Sequence, residues 1–301
     1  MNRRDFINKG IAAVTCVGLN NSLFSAIAAN GADVASFKKN NRIGIQLYCI
    51  REFLPKDYIG SLQKLADIGY SHVEAWGFNG DTFYGKTLKE TSDIVKDMGM
   101  KLNSTLCGSE MLPADTKTKE WDYWRKTIQA MKDAGGNQLI QGFLPAAGKT
   151  LDELKRSAEQ FNRIGEICKK DGIFFGYHNH HEEFSQIEGQ VILDVLLQNT
   201  DPGLVFFQLD LGHAVNGGGD ILNYFRKYPK RFRSWHASDF KKGVGYVELG
   251  QGDVPYDELF KVVKSSGLKD LTMEHENGED RFAIMKRNFD YLTKYQWTKH
   301  K

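Results

Sequence analysis

One rhythm constrains this chain more than any other feature. From residue 42 onward a short apolar run rich in β-branched and aromatic residues gives way to a polar loop, an amphipathic stretch with helical spacing and a turn, and the cycle runs eight times. The runs that read as strands are 42–48 (RIGIQLY), 72–76 (HVEAW), 101–107 (KLNSTLC), 138–143 (QLIQGF), 173–178 (IFFGYH), 204–210 (LVFFQLD), 231–236 (RFRSWH) and 271–275 (LTMEH). Helical spacing is clearest over 58–68, 88–98, 121–134, 151–170 and 256–265, and Gly69, Gly99, Gly135 and Gly172 stand where a left-handed C-cap must precede the next strand. Alternating strands and helices with near-continuous apolar strands imply a parallel sheet covered by helices. Eight units in one chain predict an α/β fold of the (β/α)8 TIM-barrel type, a single domain over 42–301. No Gly-x-Gly-x-x-Gly follows the first strand, which argues against a dinucleotide-binding doubly wound sheet.

In such a barrel the chemistry sits at the C-terminal ends of the strands. Strands five to eight end in His178, Asp210, His236 and Glu274, so four consecutive strands are expected to present imidazole, carboxylate, imidazole and carboxylate to one rim. Two nitrogens and two oxygens suit one divalent transition metal such as Mn²⁺, Co²⁺, Fe²⁺ or Zn²⁺, and suit Mg²⁺ or Ca²⁺ less well. His180, two residues beyond His178, faces the same cavity if the chain stays extended.

Four stretches in the second half carry a family resemblance: FQLDLGHAVNGGGD (207–220), WHASDF (235–240), ELGQGDVPYDELF (248–260) and TMEHENGE (272–279). In order and spacing they resemble the xylose-isomerase-like TIM barrels, a family of sugar isomerases and epimerases. The resemblance implies that Asp210, His236 and Glu274 ligate metal, that His213 lies beside the substrate, and that Asp239 supports a ligand or contacts substrate. Tyr48, Trp76 and Lys241 are further candidates for substrate contact, and Trp121, Trp124 and Phe143 are aromatics able to stack on a sugar ring or to fill the core. One position departs from the pattern. Many members have a metal-binding, proton-moving glutamate on strand five, where this chain reads YHNH and places His178. A metal-bound imidazole has no lone pair left for a carbon-bound proton, so the base must be another residue. The candidates are Glu74, His213, His180 and Glu182. Glu74, at the end of strand two, stands first because desolvation beside Trp76 favours proton uptake, with an orienting or ion-paired acid as the alternative. His181, Glu183 and His275 are assigned to solvent or to supporting contacts.

The resemblance implies a style of chemistry, deprotonation beside a carbonyl with the metal as Lewis acid. Epimerisation, aldose–ketose isomerisation and β-elimination share that step. The N-terminal segment discriminates among them. Arg3 and Arg4 precede a moderately apolar stretch with small residues at Ala26 and Ala28, which resembles a twin-arginine export signal over 1–29, followed by a linker over 30–41. Export predicts a periplasmic enzyme that meets unphosphorylated keto-sugars or keto-glycosides, and the Gly217–Gly219 run reads as a loop and not as a phosphate cradle. Elimination then stands slightly ahead of isomerisation or epimerisation. Other classes are an AP-endonuclease-like metal phosphodiesterase and a non-catalytic sugar-binding barrel. A formal charge of +2 offers no electrostatic footprint for nucleic acid. Asn20 and Asn21 interrupt the apolar stretch and argue against a membrane span; Cys49, Cys107 and Cys168 read as buried small hydrophobes. The expected partner is a small carbohydrate, and association into a homo-oligomer is left open.

Overall fold

The computed structural model describes residues 41–145 and 150–299, so the expected export signal and nearly all of the expected linker lie outside the described residues. Eight parallel strands close into a barrel: β1 (Ile43–Gln46), β2 (His72–Trp76), β3 (Lys101–Cys107), β4 (Gln138–Gln141), β5 (Phe174–His178), β6 (Val205–Asp210), β7 (Ser234–Ala237) and β8 (Asp270–Met273). Closure is made by β1, which pairs with β2 through Gly44↔His72 and with β8 through Ile43↔Leu271. Among the described residues no helix is long and apolar enough to cross a membrane.

Local chemistry sets the helices between them. Thr87 and Glu90 form a reciprocal capping box at the start of Leu88–Asp97, and Gly69, at φ 118°, ends Tyr58–Ile68 in the left-handed region that a side chain would strain. Trp121 was expected to open a helix; it closes a one-turn 3-10 segment, Lys119–Trp121, before the helix Asp122–Asp133. Trp121 and Trp124 are fully buried, which makes them core and not sugar platforms.

The strands alternate more than their apolar sequences suggest. Ile43, Ile45, Val73, Ala75, Leu139, Phe175, Tyr177, Phe207, Leu209, Trp235, Leu271 and Met273 are buried in the core, and the Ile, Val, Leu, Phe and Met side chains each contribute roughly 1.5–3 kcal/mol when fully buried. The inward positions are largely polar: Gln46, Glu74, Ser104, Gln208 and Ser234 hydrogen-bond one another across the barrel. A bulge in the β2–β3 ladder sends two consecutive residues inward, Ser104 to Glu74 and Asn103 down to Asp270. The barrel centre is therefore a polar scaffold beneath the rim.

Candidate active site

His178, Asp210, His236 and Glu274 are all buried, and one ligand atom from each lies within 4.8 Å of the other three. They come from the ends of β5, β6 and β7 and from the residue after β8, whose backbone N–H still joins the ladder by donating to Ala237. The scaffold below settles which atom each residue offers. Gln208 donates its amide to Glu74 Oε2 and Ser234 Oγ, so its Oε1 accepts from His178 Nδ1 at 3.1 Å, leaving His178 Nε2 with a free lone pair. Burial, reinforced by the neighbouring imidazoles of His236, His180 and His213, holds His178 well below the usual histidine range, hence neutral and ready to ligate. Asp210 Oδ1 accepts from Ser238 Oγ at 2.6 Å and from the backbone N–H of His213 at 2.6 Å, which leaves Oδ2 towards the cluster.

His236 is held from both sides. Its Nε2 meets Glu74 Oε1 at 2.6 Å and its Nδ1 meets Glu274 Oε2 at 2.6 Å, with Asp210 Oδ2 at 4.0 Å. Burial opposes charge on the ring, but Glu274 and Glu74 outweigh it and raise His236 well above the usual range. Burial pushes Glu274 up as well, and His236 overcomes that to hold its carboxyl below the usual value. Glu74 thus keeps Nε2 occupied and turns Nδ1 towards Asp210 and Glu274. Two buried carboxylates facing two imidazole nitrogens form an anionic pocket whose donor set matches a divalent cation.

A cavity of about 450 Å³ opens above these residues. One wall carries His178, His180, His213, Glu274 and Glu276, and the other Tyr48, Trp76, Phe78, Leu106 and Phe143. The family model for the xylose isomerase-like TIM barrel matches residues 62–295. The chain belongs to that family.

Within the xylose isomerase-like barrels, a sugar phosphate isomerase/epimerase from Parabacteroides distasonis superposes with a TM-score of 0.76 at 28% identity, covering 86% of this chain and 99% of that one. An inosose dehydratase from Clostridium perfringens is 30% identical over 136 residues, 39% of this chain and 45% of its own length. The chain thus spans about half the length of the first curated relatives it matches. Inosose dehydratase 2 of Bacillus cereus is 25% identical over 238 residues, 66% of this chain and 78% of its own length.

The family member described here departs from several sequence expectations. Glu74, expected as the leading base, lies beneath the cavity floor with four donors on its two oxygens: Gln46 and His236 on Oε1, Ser104 and Gln208 on Oε2. It has no oxygen left for a carbon-bound proton, and the orienting alternative describes its position. Asp239, expected near substrate, spends its carboxylate on the backbone N–H groups of Phe240, Gly250, Gly252 and Val254, and so ties the loop after β7. Lys241 is exposed on a hairpin and does not line the cavity. Glu182 is likewise at the surface, paired with His181 at 3.2 Å. Glu183 closes the turn after β5 by accepting from Tyr177 Oη and from the His180 backbone. Gly217 and Gly219 are tightly packed, whereas Gly218 between them is open: a Cβ on Gly217 would lie 2.5 Å from His181 O, and one on Gly219 2.4 Å from the Phe184 ring. Those glycines seat the histidine loop. Tyr48 and Trp76 do line the cavity, edge to face at 4.7 Å.

Three participants escaped the sequence reading: Gln208, Tyr246 and Glu276. Glu276 faces the cavity half-buried, where burial and then the nearby Glu274 raise its carboxyl. The stretch 272–279 that carries the family resemblance contains Glu276, but its sequence singled out Glu274 alone.

Proposed function

We propose that this chain is an exported, metal-dependent carbohydrate lyase of the dehydratase type, acting on an unphosphorylated keto-sugar or keto-glycoside. The observation that carries the reading is the pairing of the neutral His178 in the buried N₂O₂ cluster with His180 beside it. The two rings are 5.0 Å apart, and no hydrogen-bond partner is found for either ring nitrogen of His180 among the described residues. The chain has placed a ligand where a base would otherwise stand and a free imidazole next to it. Likeness to inosose dehydratases over part of the chain supports elimination.

A divalent cation held by His178 Nε2, Asp210, His236 Nδ1 and Glu274 supplies Lewis acidity to the substrate carbonyl when bound. The chain's own residues do the rest. His180 removes the proton on the carbon beside the carbonyl: the C–H bond breaks, an N–H bond forms, and the electron pair moves onto the carbonyl oxygen. The enolate then collapses: the C=O bond re-forms, a double bond forms between the α- and β-carbons, and the β-oxygen leaves with its bonding pair and takes the proton from the imidazolium as water or an alcohol, so charge and protons balance. The aromatic wall of Tyr48, Trp76 and Phe143 holds a sugar face and keeps water from the anion.

Zn²⁺, Mn²⁺ and Co²⁺ are the metals this donor set favours. An unphosphorylated substrate fits this reading, with Gly217 and Gly219 packed against the histidine loop. Export through Arg3 and Arg4 belongs to the same reading: lysines at both positions should strand the precursor in the cytoplasm, and unchanged periplasmic delivery would exclude this route. A second reading, isomerisation or epimerisation, is favoured by the Parabacteroides distasonis relative. Assaying the metal-reconstituted enzyme on keto-sugars and keto-glycosides in deuterated water decides between them. An unsaturated product is expected; recovered sugar carrying deuterium at a retained carbon skeleton would turn the assignment to isomerase.

A further inference from the structure

His180 and His213 face the same cavity with ring centroids 5.0 Å apart, yet their surroundings differ. His180 is anchored through its backbone, its N–H donating to Glu183 Oε2 at 2.7 Å and its carbonyl accepting from Asn179 Nδ2 at 3.2 Å. His213 is held through its ring: the hydroxyl of Tyr246 closes on Nδ1. Tyr246 belongs to the hairpin after β7, whose strands Asp239–Lys241 and Gly245–Val247 pair through Phe240↔Tyr246. Three features keep that hydroxyl in place. Asp239 ties the adjacent loop, Phe240 packs on the Tyr246 ring edge to face at 5.3 Å, and Asn216, at the end of the short helix Leu211–Asn216 that carries His213, brings its Nδ2 to 3.5 Å from the hydroxyl.

Hydrogen-bond chemistry gives the pair a direction. An imidazole nitrogen is a far better proton acceptor than a phenol oxygen, and the phenol is the better donor. The Asn216 amide approaches the phenol oxygen as a donor, which leaves the Tyr246 proton for His213. With Nδ1 accepting, the neutral ring must carry its hydrogen on Nε2.

We propose that Tyr246 is a positioning residue that locks His213 as the Nε2–H tautomer. His213 then serves as a fixed hydrogen-bond donor to the carbonyl oxygen that gains charge during enolisation, and its one lone pair is withdrawn from competition for the carbon proton. The proposal rests on the lyase reading for its chemistry and assigns different work to two adjacent histidines: His180 accepts the proton from carbon, and His213 donates to oxygen without giving its proton up. Neither sequence motif nor ring identity separates them. The hairpin does.

The test is long-range ¹H–¹⁵N NMR of the zinc-loaded full chain labelled at histidine nitrogens, with the His213 signals identified by their loss in His213→Gln. Wild type should show His213 protonated at Nε2 and bare at Nδ1, and Tyr246→Phe, which keeps the ring and removes the hydroxyl, should mix the two tautomers. In parallel, Tyr246→Phe should lower kcat on the order of 10²-fold, as loss of an oriented oxyanion donor does, with zinc content and KM little changed. A wild-type His213 protonated at Nδ1, or a Tyr246→Phe spectrum and kcat equal to wild type, would overturn the proposal. The NMR arm needs no turnover, so an enzyme inactive on every keto-sugar but with a Tyr246-dependent His213 tautomer would mark a failure of the lyase reading, with the tautomer lock intact.

Discussion

The barrel holds two buried polar clusters, one at each end, built from the same kinds of side chain. At the N-terminal end Asn103 and Gln138 donate to the two oxygens of Asp270 at 3.1 and 2.9 Å, and His72 bonds through Nδ1 to Ser71 Oγ at 3.0 Å. At the C-terminal end His178, Asp210, His236 and Glu274 converge within 4.8 Å. Each end has a buried neutral histidine: burial lowers His72 to about 4, and burial also lowers His178. The difference lies in what is left over. At the lower end both carboxylate oxygens of Asp270 are occupied by amides, and the vacant Nε2 of His72 sits against Gly44 on the next strand, where even a Cβ would lie 2.1 Å from it. At the upper end Gln208, Ser238 and Glu74 bond the far atoms of His178, Asp210 and His236, so His178 Nε2, Asp210 Oδ2 and the His236 Nδ1–Glu274 Oε2 pair converge. Burial lowers the pKa of both His72 and His178; only at the upper end do donor atoms converge in a set that could hold a metal ion.

Five substitutions bear on that contrast. Asp210→Asn should cost the most, because it removes a charge from the convergent cluster; metal content by atomic absorption and turnover should fall together to background. Retained metal with retained rate would break the assignment of the upper cluster. His180→Ala is expected to lose roughly 10²- to 10⁴-fold in rate while metal stays bound, the usual contribution of a positioned general base. A rate near wild type would move the base elsewhere, with Glu276 the next residue facing the cavity. Glu74→Gln should weaken metal affinity by about 10- to 100-fold, the customary effect of loosening a ligand's outer partner, with a smaller change in rate at saturating metal. A large rate loss at full metal occupancy would restore Glu74 as the base.

The smallest functional effect belongs to the lower cluster. Asp270→Asn should leave metal and kcat unchanged and lower stability by about 1–3 kcal/mol, read by denaturant unfolding, since Asn103 and Gln138 lose a charged acceptor. The same cluster carries an acid signature. Because folding depresses the His72 pKa, the unfolded chain binds that proton more tightly; its share of stability is present above about 6.5 and is lost as pH falls towards about 4. His72→Gln should flatten that limb of the stability profile, and an unchanged profile would show that His72 takes up its proton without unfolding.

Much of this was legible in the chain itself. Eight cycles of strand and helix, closed by glycines that only a left-handed turn requires, define the barrel, and the C-terminal residue of each strand then names the rim. That reasoning reached His178, Asp210, His236 and Glu274, because strand period and strand end are local properties of sequence. It left two roles open at Glu74, base or orienting acid, and two at Asp239, support or substrate contact. Glu74 stands in the middle of β2 and Asp239 opens the hairpin after β7, and the donors that surround each one, from Gln46, Ser104, Gln208 and His236 for Glu74 and from backbone amides for Asp239, distinguish a support from a reactant. The partition of labour between His180 and His213 was equally out of reach, since it depends on Tyr246, 33 residues beyond His213 and brought to it by a hairpin. Sequence by itself determined the architecture, the rim and the side-chain types gathered there, because these follow from short-range periodicity and chain direction. Tertiary structure alone decided which lone pairs remain free, because a hydrogen bond is a pairwise property of atoms that distant segments bring together.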